Sequence, residues 1–266
     1  MLARQRQERI LGEVRRYGGA RVSDLVDLLE VSDMTVRRDI ESLARRGLVE
    51  RVHGGATTVG GRSGEEPGFA AKSTLAREEK EAIAREVARL IEPGETVAVS
   101  AGTTTLAVAR ELLPVADLTV VTNSVPVADV MHDPNRPDRT VVLVGGQRTP
   151  SNALVGPVAV GALRTLHVDT LVLGVHGMTE QAGLTTPNLV EAETDRALVA
   201  SARRVVVAAD HSKWGVVGLA GIADLTDVDV LVTDSGLPRA AQRALGRSVG
   251  RLVLADPAAS TAAVQG

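Results

Sequence analysis

The chain has 266 residues, 44% of them hydrophobic and 24% charged, which suits one large or two smaller folded domains and excludes wholesale disorder. Its only aromatics are Tyr17, Phe69 and Trp214, too few for the stacking platforms of single-strand nucleic-acid binding, and the absence of cysteine excludes disulfides and thiolate chemistry. The formal net charge of −3 hides an asymmetry: residues 1–57 hold eleven Arg, no Lys and nine acidic residues, a balance of +2 that leaves −5 for the rest.

In chain order, the first elements read as three helices and a hairpin. Ile10, Leu11 and Val14 mark an apolar face on a helix from about Leu2 to Tyr17, ended by Gly18-Gly19. Ser23 is expected to cap a short second helix carrying Leu25, Leu28 and Leu29. Ser32 caps a third, whose Val36, Ile40 and Leu43 recur at helical spacing and which Gly47 closes. Residues 48–52 alternate as a strand, and His53-Gly54-Gly55 turns into a return strand. This order is that of a winged helix-turn-helix. On the third helix the spacing leaves Thr35, Arg37, Arg38 and Glu41 outside, where a major groove could receive them; the competing arrangement pairs the two arginines with Asp39 or Glu41. In the wing, Arg51 and His53 are placed to reach flanking phosphates or the minor groove.

Residues 60–68 are Gly-rich without periodicity and read as a linker. Beyond about Ala76, helices alternate with apolar strands, expected at Thr96–Ser100, Leu118–Thr122, Thr140–Val144, Thr170–Val175, Arg204–Ala209, Val228–Thr233 and Arg251–Ala255. Helices are expected at Thr103–Leu113, Pro187–Ala202 and Pro238–Leu245. Several strands are apolar on both faces, as in a parallel sheet covered by helices. The fold class is therefore α/β, a winged helix-turn-helix followed by a larger, mostly parallel α/β domain. The divisions are residues 1–57, a linker 58–75, the second domain 76–256 and a flexible tail 257–266.

Polar clusters recur just after strands, where open α/β sheets bind ligands. Gly102-Thr103-Thr104-Thr105 opens a helix, offering amides and hydroxyls to an oxyanion, though a plain helix start explains the same residues. Thr122-Asn123-Ser124, Gly145-Gly146-Gln147 and Gly174-Val175-His176-Gly177 sit likewise. The five histidines show no metal-ligand spacing, and neither a nucleotide loop nor a nucleophile elbow occurs, so no cofactor is expected. No apolar run approaches about 18 residues and the first nine are polar, so a cytoplasmic protein without membrane contact is expected.

Ser32-Asp33-Met34-Thr35-Val36-Arg37-Arg38-Asp39-Ile40, with Leu43, Gly47 and the wing from Arg51 to Ala56, resembles the signature of DeoR-type transcriptional regulators. Val121-Thr122-Asn123-Ser124, Leu154-Val155-Gly156-Pro157, Gly183-Leu184-Thr185-Thr186-Pro187, Glu191-Ala192-Glu193, Asp210 to Gly215 and Val232-Thr233-Asp234 resemble that family's C-terminal sensor, itself similar to ribose-5-phosphate isomerases. The resemblance implies a homo-oligomeric repressor of carbohydrate genes that binds a double-stranded operator through Ser32, Thr35, Arg37, Arg38, Arg51 and His53. It implies a phosphorylated sugar as effector, at Gly102, Thr103, Thr104, Thr105, Asn123, Ser124, Gly146, His176, Glu191 and Lys213. The chain departs from that pattern at Ser100 and His176, where the family favours Asp, and at Asp195, where it favours a basic residue. An isomerase with an appended DNA-binding module is the alternative, for which those positions lack the expected acids and base.

Overall fold

The computed structural model describes residues 2–17, 19–52, 54–58, 73 and 75–260. The chain divides into two compact units, residues 1–72 and 73–266.

The first unit contains α1 (Ala3–Tyr17), β1 (Gly19–Arg21), α2 (Val22–Leu29), α3 (Asp33–Arg45), β2 (Val49–Val52) and β3 (Gly55–Thr58). Its core gathers Ile10 and Val14 of α1, Leu25 and Leu29 of α2, and Val36, Ile40 and Leu43 of α3 with Val49 and Ala56. Each such side chain, fully buried, contributes about 1.5–3 kcal/mol. Helix α1 ends at Tyr17, as expected, and residues 19–21 form an unexpected strand that joins the hairpin in the order β1-β3-β2. One expectation needs correction: the second helix begins at Val22, which places Ser23 within its first turn rather than at the N-cap position. Ser32 caps α3, accepting from the Thr35 amide. At the other end Gly47 sits at φ 65°, with its amide on the Ala44 carbonyl and the Leu48 amide on that of Leu43. That left-handed stop turns the chain directly into β2.

The second unit runs α4 (Arg77–Ala88), β4 (Thr96–Val99), α5 (Thr103–Glu111), β5 (Thr119–Thr122), α6 (Val125–Met131), β6 (Thr140–Leu143), β7 (Gln147–Arg148), β8 (Leu154–Val155), α7 (Pro157–Leu163) and β9 (Val168–Leu173). It continues with β10 (Gly177–Thr179), β11 (Gly183–Thr186), α8 (Leu189–Ser201), β12 (Ala202–Ala208), β13 (Ala220–Ala223), β14 (Val230–Asp234), α9 (Arg239–Ser248) and β15 (Arg251–Ala255). The seven strands expected from the sequence are the seven strands of one sheet, β15-β14-β12-β9-β4-β5-β6, paired in parallel throughout. The inner strands β14, β12, β9, β4 and β5 are buried through most of their length, as the unbroken apolar runs foretold, while the edge strands β6 and β15 are partly exposed. A smaller antiparallel sheet, β10-β11-β13, and the β7-β8 pair were not expected; their strands are short and carry no alternation. Residues 257–260, expected to begin a flexible tail, form one turn of 3-10 helix against α4.

The sheet order places the first strand of the unit, β4, in the interior beside the central strand β9. The chain builds outward from it through β5 and β6, then crosses back to β9 and builds the other way. The connections leaving β4 and β9 therefore diverge at the carboxyl ends of two neighbouring strands, the switch point at which open α/β sheets place a ligand crevice.

Candidate functional site

Helix α3 separates its residues cleanly. Val36, Asp39, Ile40 and Leu43 are buried, while Asp33, Met34, Arg37, Arg38 and Glu41 are exposed. Arg37 pairs not with Asp39 or Glu41 but with Asp33, one turn earlier: Nε lies 2.5 Å from Oδ1 and Nη2 lies 3.2 Å from Oδ2. The Arg37 hydrogen bond holds the Asp33 carboxyl below its ordinary value. Asp39 faces the core instead, accepting from Arg6 and Gln7 of α1. The Ser32 and Thr35 hydroxyls lie 2.9 Å apart and organise the start of the helix. Arg51 is exposed on the wing, and His53 lies outside the described residues.

The crevice is built from three groups of residues along the carboxyl edge of the large sheet. At its centre, Ser100 is buried and ties β4 to β9: its amide donates to the Val172 carbonyl at 3.0 Å, and its hydroxyl accepts the Gly174 amide at 3.0 Å. Gly174 packs so closely that a Cβ there would lie 3.3 Å from the Thr105 methyl. Gly102 is the N-cap of α5, and the amides of Thr103, Thr104 and Thr105 begin the helix with no carbonyl behind them. Thr103 is half-buried, Thr104 buried, and Thr105 turns its hydroxyl back to the Gly102 carbonyl. His176 is half-buried on the β9 side, its amide donating to the Thr185 carbonyl.

The second group surrounds residues 147–156. Asn123 is 1% exposed, and its amide side chain links the Ala101 amide (2.9 Å) to the Leu154 carbonyl (3.4 Å). It therefore positions the loop before α5. Ser124 caps α6 from a fully buried position. Gly146, at φ 139°, brings its backbone against Val155, whose carbonyl would be 2.6 Å from any Cβ. Glu191, buried in the first turn of α8, accepts a hydrogen bond from the Ser151 hydroxyl. One turn on, burial first and the Glu191 charge second push the Asp195 carboxyl up to about 8 against the pull of Arg196.

The third group lies at the ends of β12 and β14. Asp210 is 1% exposed and accepts from the Ser212 amide and hydroxyl. Burial would raise its carboxyl, but the Lys213 charge, the Ser212 hydrogen bonds and the Lys80 charge outweigh that and hold it low. Beside it, His211 Nδ1 lies 2.7 Å from Asp234 Oδ2, and Asp234 also accepts the amides of His211 and Gly236. Of these residues only Lys213 was expected at the site; Asp210 and Asp234 stood in the family motifs without a role, and Lys80 was not expected. Asp210 and Asp234 show themselves as carboxylates ending apolar strands. Lys80 shares the core-facing spacing of Ile83, Ala84 and Val87, and is buried with its ammonium on the Leu75 carbonyl at 2.6 Å. Among the described residues no group of three His, Cys, Asp or Glu could hold a metal ion.

The DeoR-like helix-turn-helix domain matches residues 6–60, and the DeoR C terminal sensor domain matches residues 75–235. The chain belongs to the DeoR family. It is a DNA-binding transcriptional regulator. Family relatives cover nearly the whole chain. The HTH-type transcriptional regulator GlpR of Haloferax volcanii is 38% identical over 238 residues, 89% of this chain and 92% of its own. The transcriptional repressor AccR of Agrobacterium fabrum is 36% identical, covering 87% of this chain and 89% of its own. The glycerol-3-phosphate regulon repressor of Escherichia coli K12 is 33% identical, covering 88% and 92%. A ribose 5-phosphate isomerase A from Neisseria gonorrhoeae aligns with 53% of this chain and 54% of its own, at 14% identity and a TM-score of 0.38, too slight a likeness to carry an argument. Among the described residues no helix is long and apolar enough to cross a membrane.

Proposed function

We propose that this regulator represses genes of carbohydrate metabolism as a homo-oligomer and leaves its operator when a phosphorylated sugar enters the crevice. The observation that carries the reading is the crevice itself. A helix N-terminus at Gly102–Thr105 and the cation of Lys213 both stand at the carboxyl edge of a sheet with a switch point between β4 and β9. Helix amides and a lysine suit a phosphate, and the neighbouring polar groups at Asn123, Ser124, Gly146, His176 and Glu191 suit a hydroxylated carbon chain. Relatives named as repressors of a glycerol-3-phosphate regulon and of an aga operon support the metabolic assignment.

On the DNA side, Arg37 and Arg38 contact bases or phosphates from the major groove, Ser32 and Thr35 set the helix start, and Arg51 and His53 of the wing touch the flanking backbone. The division of labour follows residues 1–57 for DNA and 76–256 for the effector, joined by 58–75. Coupling between the two is a linkage: an effector that favours a conformation unsuited to the operator is itself bound less tightly when DNA is present. No isomerase activity is expected, because Ser100 is engaged with Gly174 rather than presented as a base.

Titration of pentose, hexose and triose phosphates against a preformed complex of full-length protein and operator tests the reading. Release of DNA by one of them, without isomerisation of any, is the expected result. Turnover of a sugar phosphate, or indifference to all of them, overturns it. A further test compares residues 1–57 with the full chain at one salt concentration. The full chain should bind a repeated site far more tightly, because it engages two half-sites at once.

A further inference from the structure

Helix α3 carries one exposed apolar side chain that its core does not explain. Its other large apolar residues, Val36, Ile40 and Leu43, are at most 2% exposed, whereas Met34 is 64% exposed in the first helical turn. There it stands among charged neighbours, with nothing apolar required of it by the core. The N-terminal residues of a recognition helix are the ones that meet base edges. The apolar group that B-form DNA offers in its major groove is the thymine C5-methyl. An unbranched thioether reaches and adapts to such a group well.

The Asp33–Arg37 pair adds a second constraint. Asp33 engages Arg37 from the side, through Nε and one hydrogen of Nη2. The end of the guanidinium fork, with donors on Nη1 and Nη2, remains turned away from the carboxylate. Two parallel donors at that end match the O6 and N7 acceptors of guanine. Asp33 thus holds the fork in one orientation, lowering the ordering cost of the contact. Met34 and Arg37 are three residues apart on one helix, so their Cβ atoms lie roughly 5–6 Å apart. That spacing suits bases on neighbouring steps.

Resting on the DNA-reading role of α3, we infer that Met34 and the Asp33-buttressed Arg37 form one reading surface, selective for a half-site in which a thymine methyl lies beside a guanine. Met34 and Arg37 touch the bases; Asp33 is a positioning residue.

The test starts from duplexes that the full-length protein enriches from a random pool, followed by single replacements of thymine by uracil and of guanine by 7-deazaguanine. With the wild-type protein, one uracil replacement should weaken binding about fourfold, the worth of one buried methyl group. One 7-deazaguanine replacement should weaken it about tenfold. Met34→Ala should erase the uracil penalty and keep the other; Asp33→Ala should shrink the 7-deazaguanine penalty and keep the first. The inference fails if no uracil replacement matters, or if its penalty persists in Met34→Ala. It fails equally if Asp33→Ala tightens all duplexes alike with an unchanged 7-deazaguanine penalty, since Asp33 would then act only as a repelling charge. Enrichment of no sequence at all would overturn sequence reading by α3 itself, a different outcome from enrichment without the methyl signature.

Discussion

Arg6 of α1 donates from Nε to the Asp39 carboxylate of α3 at 2.8 Å, and Gln7 donates to the other carboxylate oxygen at 3.0 Å. Asp39 is 5% exposed, so both of its oxygens are satisfied inside the first unit and α3 is locked to α1. Removing one partner of such a pair leaves the other charge poorly solvated. Asp39→Ala should therefore destabilise the first unit by about 2–4 kcal/mol. Urea denaturation followed by circular dichroism, with hydrogen exchange of the α3 amides, checks this; unchanged α3 protection would contradict it.

Arg37 and Arg38 project away from that locked face. Arg37→Ala and Arg38→Ala should each weaken operator binding by about 1–3 kcal/mol with the fold intact. A base contact relaxes sequence preference, whereas a phosphate contact weakens all sequences alike and lowers the salt dependence. Gel shifts on operator and scrambled duplexes at several salt concentrations separate the two.

In the sensor, Thr103→Glu should abolish the effector response and leave operator affinity nearly unchanged. The added carboxylate would occupy and repel at the helix N-terminus, while the reading helix belongs to the other unit. Lys213→Ala should weaken the response in the same direction, by about 1.5–3 kcal/mol for one charge-assisted contact. The Lys213 charge also helps hold the Asp210 carboxyl low, so the variant should lose stability at neutral pH and become less sensitive to acid. Isothermal titration with the responsive sugar phosphate measures the first effect, and denaturation across pH the second.

Asp195 makes a prediction about pH. Its carboxyl is pushed up to about 8 in the folded chain, from the ordinary value near 3.8. Folding thus favours the protonated form, and the group's contribution is fully present below pH 4 or so and is lost as the pH rises through the folded value. Asp195→Asn should remove this dependence. The variant should be more stable than wild type at pH 8.5, with the advantage fading towards pH 4.5, as read from urea midpoints. Equal midpoints at the higher pH would show that Asp195 is charged in the folded protein at no cost.

What the sequence determined by itself was local in its physics. The Ser32 cap, the Val36-Ile40-Leu43 stripe and the Gly47 stop define α3 because each acts within a few residues of its own position. The inner strands of the large sheet were legible because burial on both faces demands unbroken apolar runs, which need no knowledge of neighbours. The strands that escaped, β1, β7, β8, β10, β11 and β13, are two to four residues long and exist only through their pairing with one another or with other segments. Tertiary structure alone decided the sheet order, and with it the switch point between β4 and β9. It also decided the partners of the buried polar groups: Asp39 with Arg6, Ser100 with Gly174, Asp234 with His211, and Asn123 with Ala101 and Leu154. A buried donor or acceptor must find a partner, but nothing in its immediate sequence says which, because the choice is made by the chain segments that packing brings beside it.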